Sequence, residues 1–259
     1  MDARRKFAVA GATGRVGQHV VELLTEQGHE VVAMSRSGGV DVVTGKGLDE
    51  ALTGVDTIID VSSTPSPDQQ VATEFFTATA ANLHEAGARA GVRRLIVVSI
   101  IGIDRGFTTG YNAAKLAHER AALAGPIPTQ ILRAAQFHEF VPQLLQWGTQ
   151  GETAYVPEMR TQLVSARTVA EALVALAAAP APEPGTVTTP FPEIAGPREE
   201  DLAQAASLYS ARHGSTVKVI PVTNPDDPDA HLFANGSLLP SPHAKLAGPT
   251  FEEWTNAEL

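Results

Sequence analysis

Gly11-Ala-Thr-Gly14-Arg-Val-Gly17 decides how this chain folds. Phe7-Ala-Val-Ala10 before it is a short apolar run of strand type, and Val16, Val20, Leu23 and Leu24 after it recur at helical spacing up to Gly28. A strand, a glycine turn and a helix in that order predict a binding loop for a pyrophosphate. Gly11 permits the tight turn, Gly14 lets the backbone approach a phosphate, and Gly17 lets the helix pack closely. The helix N-terminus then presents free N–H groups and a partial positive charge. Gly11, Thr13, Gly14, Arg15, Val16 and Gly17 are therefore the first cofactor-binding candidates.

Working outward, strand and helix periods alternate through the first two thirds of the chain. Strands are expected at Glu30–Ser35, Val40–Val43, Val55–Val61, Arg94–Ile101 and Thr129–Leu132. Helices are expected at Leu48–Leu52, Asp68–Ala90, Tyr111–Ala124 and Phe137–Trp147. Such alternation means βαβ units and a doubly wound parallel sheet, an α/β fold. The pattern weakens after Gln150. Val169–Ala179 and Glu199–Arg212 read as helices and Thr216–Val222 as a strand. Thr250–Glu258 reads as a terminal helix, with Thr250 as cap and Glu253 three residues on. Pro180–Pro197 holds six prolines and reads as irregular connection, with strand-like Val187–Thr189 and Ile194 inside it. The expected organisation is a dinucleotide-binding core over residues 1–150. Segments 151–259 complete the sheet edge and cap the substrate, within a single structural unit.

Composition narrows the function. The 259 residues are 43% hydrophobic and carry a net charge of −10, which repels phosphate backbones and argues against nucleic-acid binding. Cysteine is absent, excluding disulfides, Cys-ligated zinc, iron–sulfur clusters and a thiol nucleophile. The eight histidines form no metal-ligand spacing, and no Gly-x-Ser-x-Gly hydrolase elbow is present. No apolar run is long enough to span a bilayer and no signal peptide is recognisable, so a cytoplasmic protein with no membrane partner is expected.

Cofactor choice follows from the end of the second strand. Ser35-Arg36-Ser37 stands where an acidic residue would select NAD(H), and the nearest carboxylate is Asp41. Arg36 can pair with a 2′-phosphate, Ser35 and Ser37 can donate to it, and Arg15 is a second clamp. NADP(H) is therefore expected in preference to NAD(H).

Catalytic candidates come from the next helix. Tyr111-Asn-Ala-Ala-Lys115 places a phenol and an ammonium four residues apart on one face. The ammonium is expected to lower the phenol pKa and to hydrogen-bond the nicotinamide ribose. Ser99, at the carboxyl end of the preceding strand, is placed to orient a carbonyl.

The glycine loop, Ser99, Tyr111 and Lys115 together resemble the short-chain dehydrogenase/reductase superfamily, in its atypical, NmrA-like branch of NAD(P)H-binding proteins. The segments Val98-Ser-Ile-Ile-Gly-Ile-Asp-Arg105, Tyr111-x-x-x-Lys115-x-x-x-Glu119, Gln130-Ile-Leu-Arg133 and Phe137-His-Glu-Phe140 carry the resemblance over residues 6 to 180. It implies a Rossmann-type domain, an NADP-type cofactor, and either reduction of a small carbonyl or quinone, or redox sensing without turnover. It also implies that Val61, Ser62 and Ser63 line the cofactor cleft. Ala135, Gln136 and Phe137 follow the sixth expected strand at the carboxyl edge, where their backbone can meet the nicotinamide carboxamide. Two positions depart from the pattern. Ala134-Ala-Gln136 replaces the usual Pro-Gly motif, and Gly45-Lys-Gly47 lies where an acidic contact to adenine is often found.

His138, Trp147 and Tyr155 are the substrate candidates, with Phe137 and Phe140 making the pocket apolar. The reading is an NADPH-dependent oxidoreductase acting on a small molecule, monomeric or homodimeric. The alternative is a non-catalytic NADP(H) sensor acting through a protein partner. Nucleotide-sugar epimerisation is a third reading, but no basic cluster is evident to hold a diphosphate.

Overall fold

The apolar runs read from the sequence become strands because both of their faces are covered. In the computed structural model, which describes residues 4–183 and 185–257, the chain begins β1 (Lys6–Ala10), α1 (Arg15–Glu26), β2 (Glu30–Met34), α2 (Leu48–Ala51), β3 (Thr57–Asp60) and α3 (Gln69–Ala90). It continues β4 (Arg94–Ile100), α4 (Gly110–Ala124), β5 (Thr129–Ala134), α5 (Phe140–Gly148), β6 (Thr149–Gln150), β7 (Thr153–Pro157) and β8 (Arg160–Thr161). Then follow α6 (Ala166–Ala178), β9 (Glu193–Ala195), β10 (Glu200–Asp201), α7 (Leu202–Arg212), β11 (Lys218–Val222), α8 (Ala230–Ala234), β12 (Lys245–Leu246) and α9 (Phe251–Ala257). Met1–Ala3, Pro184, Glu258 and Leu259 lie outside the described residues, including the last residue of the expected terminal helix.

Seven strands form one sheet in the order β12-β9-β5-β4-β3-β1-β2, with β1 parallel to β2 and β3, β3 to β4, β5 to β9, and β9 to β12. The chain leaves β1 for β2 on one side and returns to β3 on the other, so the direction of winding reverses between β1 and β3. Such a switch point opens a crevice at the carboxyl ends of the strands.

Two units divide the chain. The first comprises residues 1–99, 110–132 and 169–192. Its core joins Ala8, Ala10, Ile58, Leu95 and Val97 of the strands to Ala80 and Leu83 of α3. The alternate strand residues Phe7, Val9, Ile59 and Ile96 are equally buried, which is why these runs show no polar alternation. Asp68 caps α3 by accepting from the Val71 amide at 2.9 Å, and Gly91 ends it in the left-handed region at φ +75°. Arg94 is 2% exposed, and its guanidinium donates to the carbonyls of Leu176, Ala177 and Ala179 at the end of α6. That is a charged cap on the negative end of a helix dipole.

The second unit comprises residues 100–109, 133–168 and 193–259. Parallel β11 and β7, with β6 antiparallel to β7, form a three-stranded sheet there. Asp229 ties the 100–109 segment down, accepting from the amides of Thr108 and Thr109, each at 2.7 Å. Thr250 and Glu253 cap α9 reciprocally, as their spacing predicts.

Three local expectations are corrected. Val40–Val43 is not a strand: the Asp41 carboxylate takes the Val43 and Thr44 amides, and Asn82 donates to the carbonyls of Val42 and Val43. A side chain that bonds its own backbone competes with a ladder. The Phe137 helix starts only at Phe140, because Phe137 bridges Val164 and the His138 amide donates to its carbonyl. Val187–Thr189 is irregular, since Pro190 lacks the amide a continuing ladder needs, whereas Ile194 does sit in β9.

Candidate active site

The glycine loop owes its shape to close backbone approaches. Gly11 has φ +78°, and a Cβ on it would lie 2.8 Å from the Ser62 Cα. No other residue fits there without moving the β3–α3 loop. A Cβ on Gly17 would meet Ala12 Cα at 2.8 Å, so this glycine lets α1 pack on the loop's own backbone. Gly14 is different. Its φ is −79°, and a Cβ would touch only the Gly11 carbonyl, at 3.2 Å. Thr13, Gly14 and Arg15 are exposed, Val16 is buried, and the cap position of α1 is Gly14, which has no side chain to hold the first amides. A helix N-terminus capped by an open glycine suits a pyrophosphate, so these residues fit a dinucleotide.

Ser35, Arg36 and Ser37 follow β2. Ser35 Oγ accepts from the Gly38 amide and lies 3.1 Å from Ser37 Oγ, closing a short 3₁₀ turn that leaves Arg36 exposed. Asp41, the nearest carboxylate in sequence, is held by its own loop, where its Oδ1 accepts from the Val43 and Thr44 amides.

Tyr111 and Lys115 share α4 but have different neighbours. The Tyr111 hydroxyl lies 2.9 Å from Ser63 Oγ, and its ring meets Phe76 edge-on. Burial pushes the phenol above its ordinary pKa, with the Asp60 charge adding to the rise and the Ser63 hydrogen bond opposing it. The expected downward pull by Lys115 is therefore corrected: at neutral pH the phenol keeps its proton.

Lys115 is 4% exposed. Its Nζ donates to the Val98 carbonyl at 2.8 Å, lies 2.9 Å from His118 Nδ1, and sits 4.4 Å from the Phe76 ring centroid. Burial pulls its pKa down to about 8, against the charges of Asp60 and Glu119. His118 Nε2 is in turn 3.2 Å from Asp60 Oδ2, a close contact lying off the line of a good hydrogen bond. Burial alone would raise the Asp60 carboxyl, but the adjacent His118 ring and the Ser62 contacts hold it below its usual range. Burial, then the Lys115 charge, lowers the His118 pKa. Asp60 and His118 were not singled out from the sequence. The signals were a carboxylate closing an apolar run and a histidine one turn after the lysine.

Ser99 is 3% exposed and its Oγ has no hydrogen-bond partner. Its position fits a hydroxyl that is completed by a ligand. Val61 is half-buried, Ser62 buried and Ser63 exposed; the Ser62 amide donates to Asp60 Oδ1 at 2.9 Å.

The remaining candidates lie in the second unit. Ala135 is buried, Phe137 half-buried, and Gln136 Oε1 accepts from Thr161 at 2.7 Å. Trp147 and Tyr155 are 57% and 41% exposed. His138 does not face a substrate. It is 0% exposed, edge-on to Phe251 and Trp254 at 5.4 and 5.3 Å, and burial pulls its pKa to about 4 against the Leu163 backbone. It is a packed neutral ring and not a proton carrier. Among the described residues no cluster of His, Cys, Asp or Glu could hold a metal ion, and no helix is long and apolar enough to cross a membrane.

A family model described as NAD(P)H-binding matches residues 11–180, beginning at Gly11. No curated protein matches in sequence. Among solved structures, MoeE5 in complex with UDP-glucose and NAD is 20% identical with a TM-score of 0.68, over 98% of this chain and 99% of its own. A short-chain dehydrogenase/reductase superfamily protein from Agrobacterium tumefaciens with bound NAD is 20% identical with a TM-score of 0.64, covering 98% and 97%. UDP-N-acetylglucosamine 4-epimerase from Bacillus cereus is 18% identical with a TM-score of 0.67, covering 98% and 94%. These likenesses establish a Rossmann-type fold over nearly the whole chain.

Proposed function

This chain belongs to the NAD(P)H-binding family, and from that premise we propose that it is an NADPH-dependent reductase of the short-chain dehydrogenase/reductase type, acting on a small uncharged carbonyl or quinone. The observation that carries this reading is the pairing on α4 of a protonated phenol, Tyr111, with a buried ammonium, Lys115. When bound, NADPH would supply the hydride. Tyr111 donates the proton to the substrate oxygen, and its raised pKa keeps that proton available at neutral pH. The exposed Ser63 hydroxyl, 2.9 Å from the phenol, carries a replacement proton from water. Ser99 orients the substrate oxygen through its unpartnered hydroxyl. Lys115 holds the ribose and places positive charge beside the reacting groups. Ala135, Gln136 and Phe137 are the proposed backbone contacts to the carboxamide, and Trp147 and Tyr155 the proposed substrate contacts. The substrate cap is proposed to come from segments within residues 151–259.

Preference for NADP(H) rests on Arg36, Ser35 and Ser37, because structures of similar fold are described with NAD. Arg36→Ala is expected to weaken NADPH binding by about ten- to a hundred-fold, about 1.5–3 kcal/mol, and to leave NADH binding unchanged. Equal affinity of wild type and variant for NADPH in a fluorescence titration would remove the assignment.

NADPH oxidation against a panel of quinones and carbonyls tests the reaction. Turnover that falls by about 10²–10⁴ in Tyr111→Phe identifies Tyr111 as the acid. Tight NADPH binding without turnover favours a sensor that acts through a protein partner. A second reading, nucleotide-sugar chemistry, draws support from the full-length likeness to MoeE5, whose structure holds UDP-glucose. Calorimetric binding of UDP-glucose to the NADPH-loaded protein would favour it over carbonyl reduction.

A further inference from the structure

We infer that Asp60 and His118 are a positioning pair that locks the Lys115 ammonium in one orientation for the cofactor, through a single histidine tautomer. The inference rests on the NADPH-binding reading above and adds two residues to it. An ammonium has three N–H donors and no acceptor. One donor goes to the Val98 carbonyl at 2.8 Å and a second to His118 Nδ1 at 2.9 Å. Nδ1 must then offer its lone pair, which leaves the ring proton on Nε2. That nitrogen lies 3.2 Å from Asp60 Oδ2, off the line of a good hydrogen bond but close enough for the carboxylate charge to favour the proton on Nε2, the tautomer that can accept from Lys115. The other carboxylate oxygen takes the Ser62 amide at 2.9 Å and so anchors the β3–α3 loop to the same group. The third ammonium N–H remains for a ligand.

Burial makes the arrangement a set. Asp60, His118 and Lys115 are 1%, 1% and 4% exposed. A buried anion and a buried cation joined by a neutral ring are tolerated together, whereas either ion alone is strongly penalised. The His118 ring is also fixed by stacking on Phe76, at 4.8 Å between centroids and 19° between planes. The charged and titratable groups around Lys115 are Asp60 from β3 and Tyr111, His118 and Glu119 from α4; α3 contributes the uncharged Phe76 ring and β4 the Val98 carbonyl.

Asp60→Asn tests the pair in the full chain. The amide oxygen can still accept from Ser62, but the amide nitrogen donates to His118 Nε2. The ring proton moves to Nδ1 and confronts the ammonium, donor against donor. Three readouts follow: ¹⁵N NMR of the His118 ring without cofactor, NADPH affinity against pH, and reductase turnover against pH. In the wild type the ring carries its proton on Nε2, and NADPH affinity falls as pH rises through about 8, where Lys115 loses its charge. In Asp60→Asn the ring proton is on Nδ1, NADPH binds about ten-fold more weakly at pH 7, and the fall begins about one pH unit lower. His118→Asn, whose amide oxygen replaces the Nδ1 acceptor, binds NADPH within about three-fold of wild type, and His118→Leu does not.

A wild-type ring protonated on Nδ1 or on both nitrogens at pH 7 overturns the inference. So does an Asp60→Asn protein with reversed tautomer and an unmoved pH midpoint, which would make the pair a purely structural brace. If Asp60→Asn does not fold, the wild-type NMR spectrum and the two His118 variants decide. NADPH binding without turnover overturns only the reductase step and leaves the pair standing. Absence of NADPH binding in the wild type overturns the cofactor reading and this inference with it.

Discussion

His118 in the first unit and His138 in the second are both shut away from solvent, at 1% and 0% exposure, and burial lowers the pKa of both. Their surroundings differ in kind. His118 has an ammonium 2.9 Å from one nitrogen and a carboxylate 3.2 Å from the other. His138 is enclosed by the edges of Phe251 and Trp254, and neither ring nitrogen is satisfied by a side chain. Burial by itself thus says nothing about function. A buried histidine becomes part of a chemical site when both nitrogens have charged partners, and stays a packing element when they do not.

The hardest test of that contrast removes the cation. Lys115→Met is expected to lower turnover by about 10²–10⁴, since it takes away the group that holds the ribose and supplies positive charge. It should also change His118. With the Lys115 charge gone and the Asp60 carboxylate still buried, the imidazole gains a reason to protonate, and its pKa should rise. Proton NMR titration of the ring reads this directly; an unmoved midpoint would mean that the two side chains do not sense each other. His138, in its aromatic enclosure, should titrate unchanged in the same spectra.

This contrast also marks how far the sequence could be read. Every strand of the first unit was legible, because an apolar run bounded by glycines has few other uses, and Val40–Val43 was the one run that read as a strand and is not one. The glycine loop was legible for the same local reason, and so was the Thr250–Glu253 capping box. The miss at Val40–Val43 came from Asp41 and Asn82, whose side chains capture backbone groups that β-propensity assigns to a ladder. Asp60 and His118 were hidden differently. Each reads as unremarkable in its own segment, and only the parallel pairing of β3 with β4 and the packing of α4 bring them together. Position after a strand likewise suggested a substrate role for His138, but the enclosing rings come from α9, more than a hundred residues later in sequence.

A smaller effect is expected at His138. His138 binds its proton at about pH 4 in the folded protein and near 6.5 in the unfolded chain. Between those values the unfolded state holds more protons, so stability rises with pH there. Its contribution is complete above about pH 6.5 and is lost as pH falls to about 4, an amount of about 3 kcal/mol. His138→Phe, which matches the apolar enclosure, should remove that part of the acid sensitivity and leave NADPH affinity unchanged. Urea denaturation at pH 7 and pH 5 measures both. If wild type and variant lose equal stability between the two pH values, His138 is not the neutral packed ring described.

The smallest expected effect lies in the helix that closes this enclosure. Thr250 accepts from the Glu253 amide at 3.2 Å, and Glu253 takes both the Thr250 amide at 2.8 Å and its hydroxyl at 2.9 Å. The two residues satisfy orphan donors at the start of α9, which carries Phe251 and Trp254 against His138. Thr250→Ala removes one side of the box and should cost about 1 kcal/mol. A cap frays only the first turn, and that turn holds both rings over His138. The variant should therefore raise the His138 pKa toward its ordinary value as water gains access, and narrow the acid-sensitive window from below. In the first unit, no change is expected in the His118 tautomer or in NADPH affinity. A shift at His118 equal to that at His138 would show that the two buried histidines belong to one cooperative element and are not set by their own neighbours.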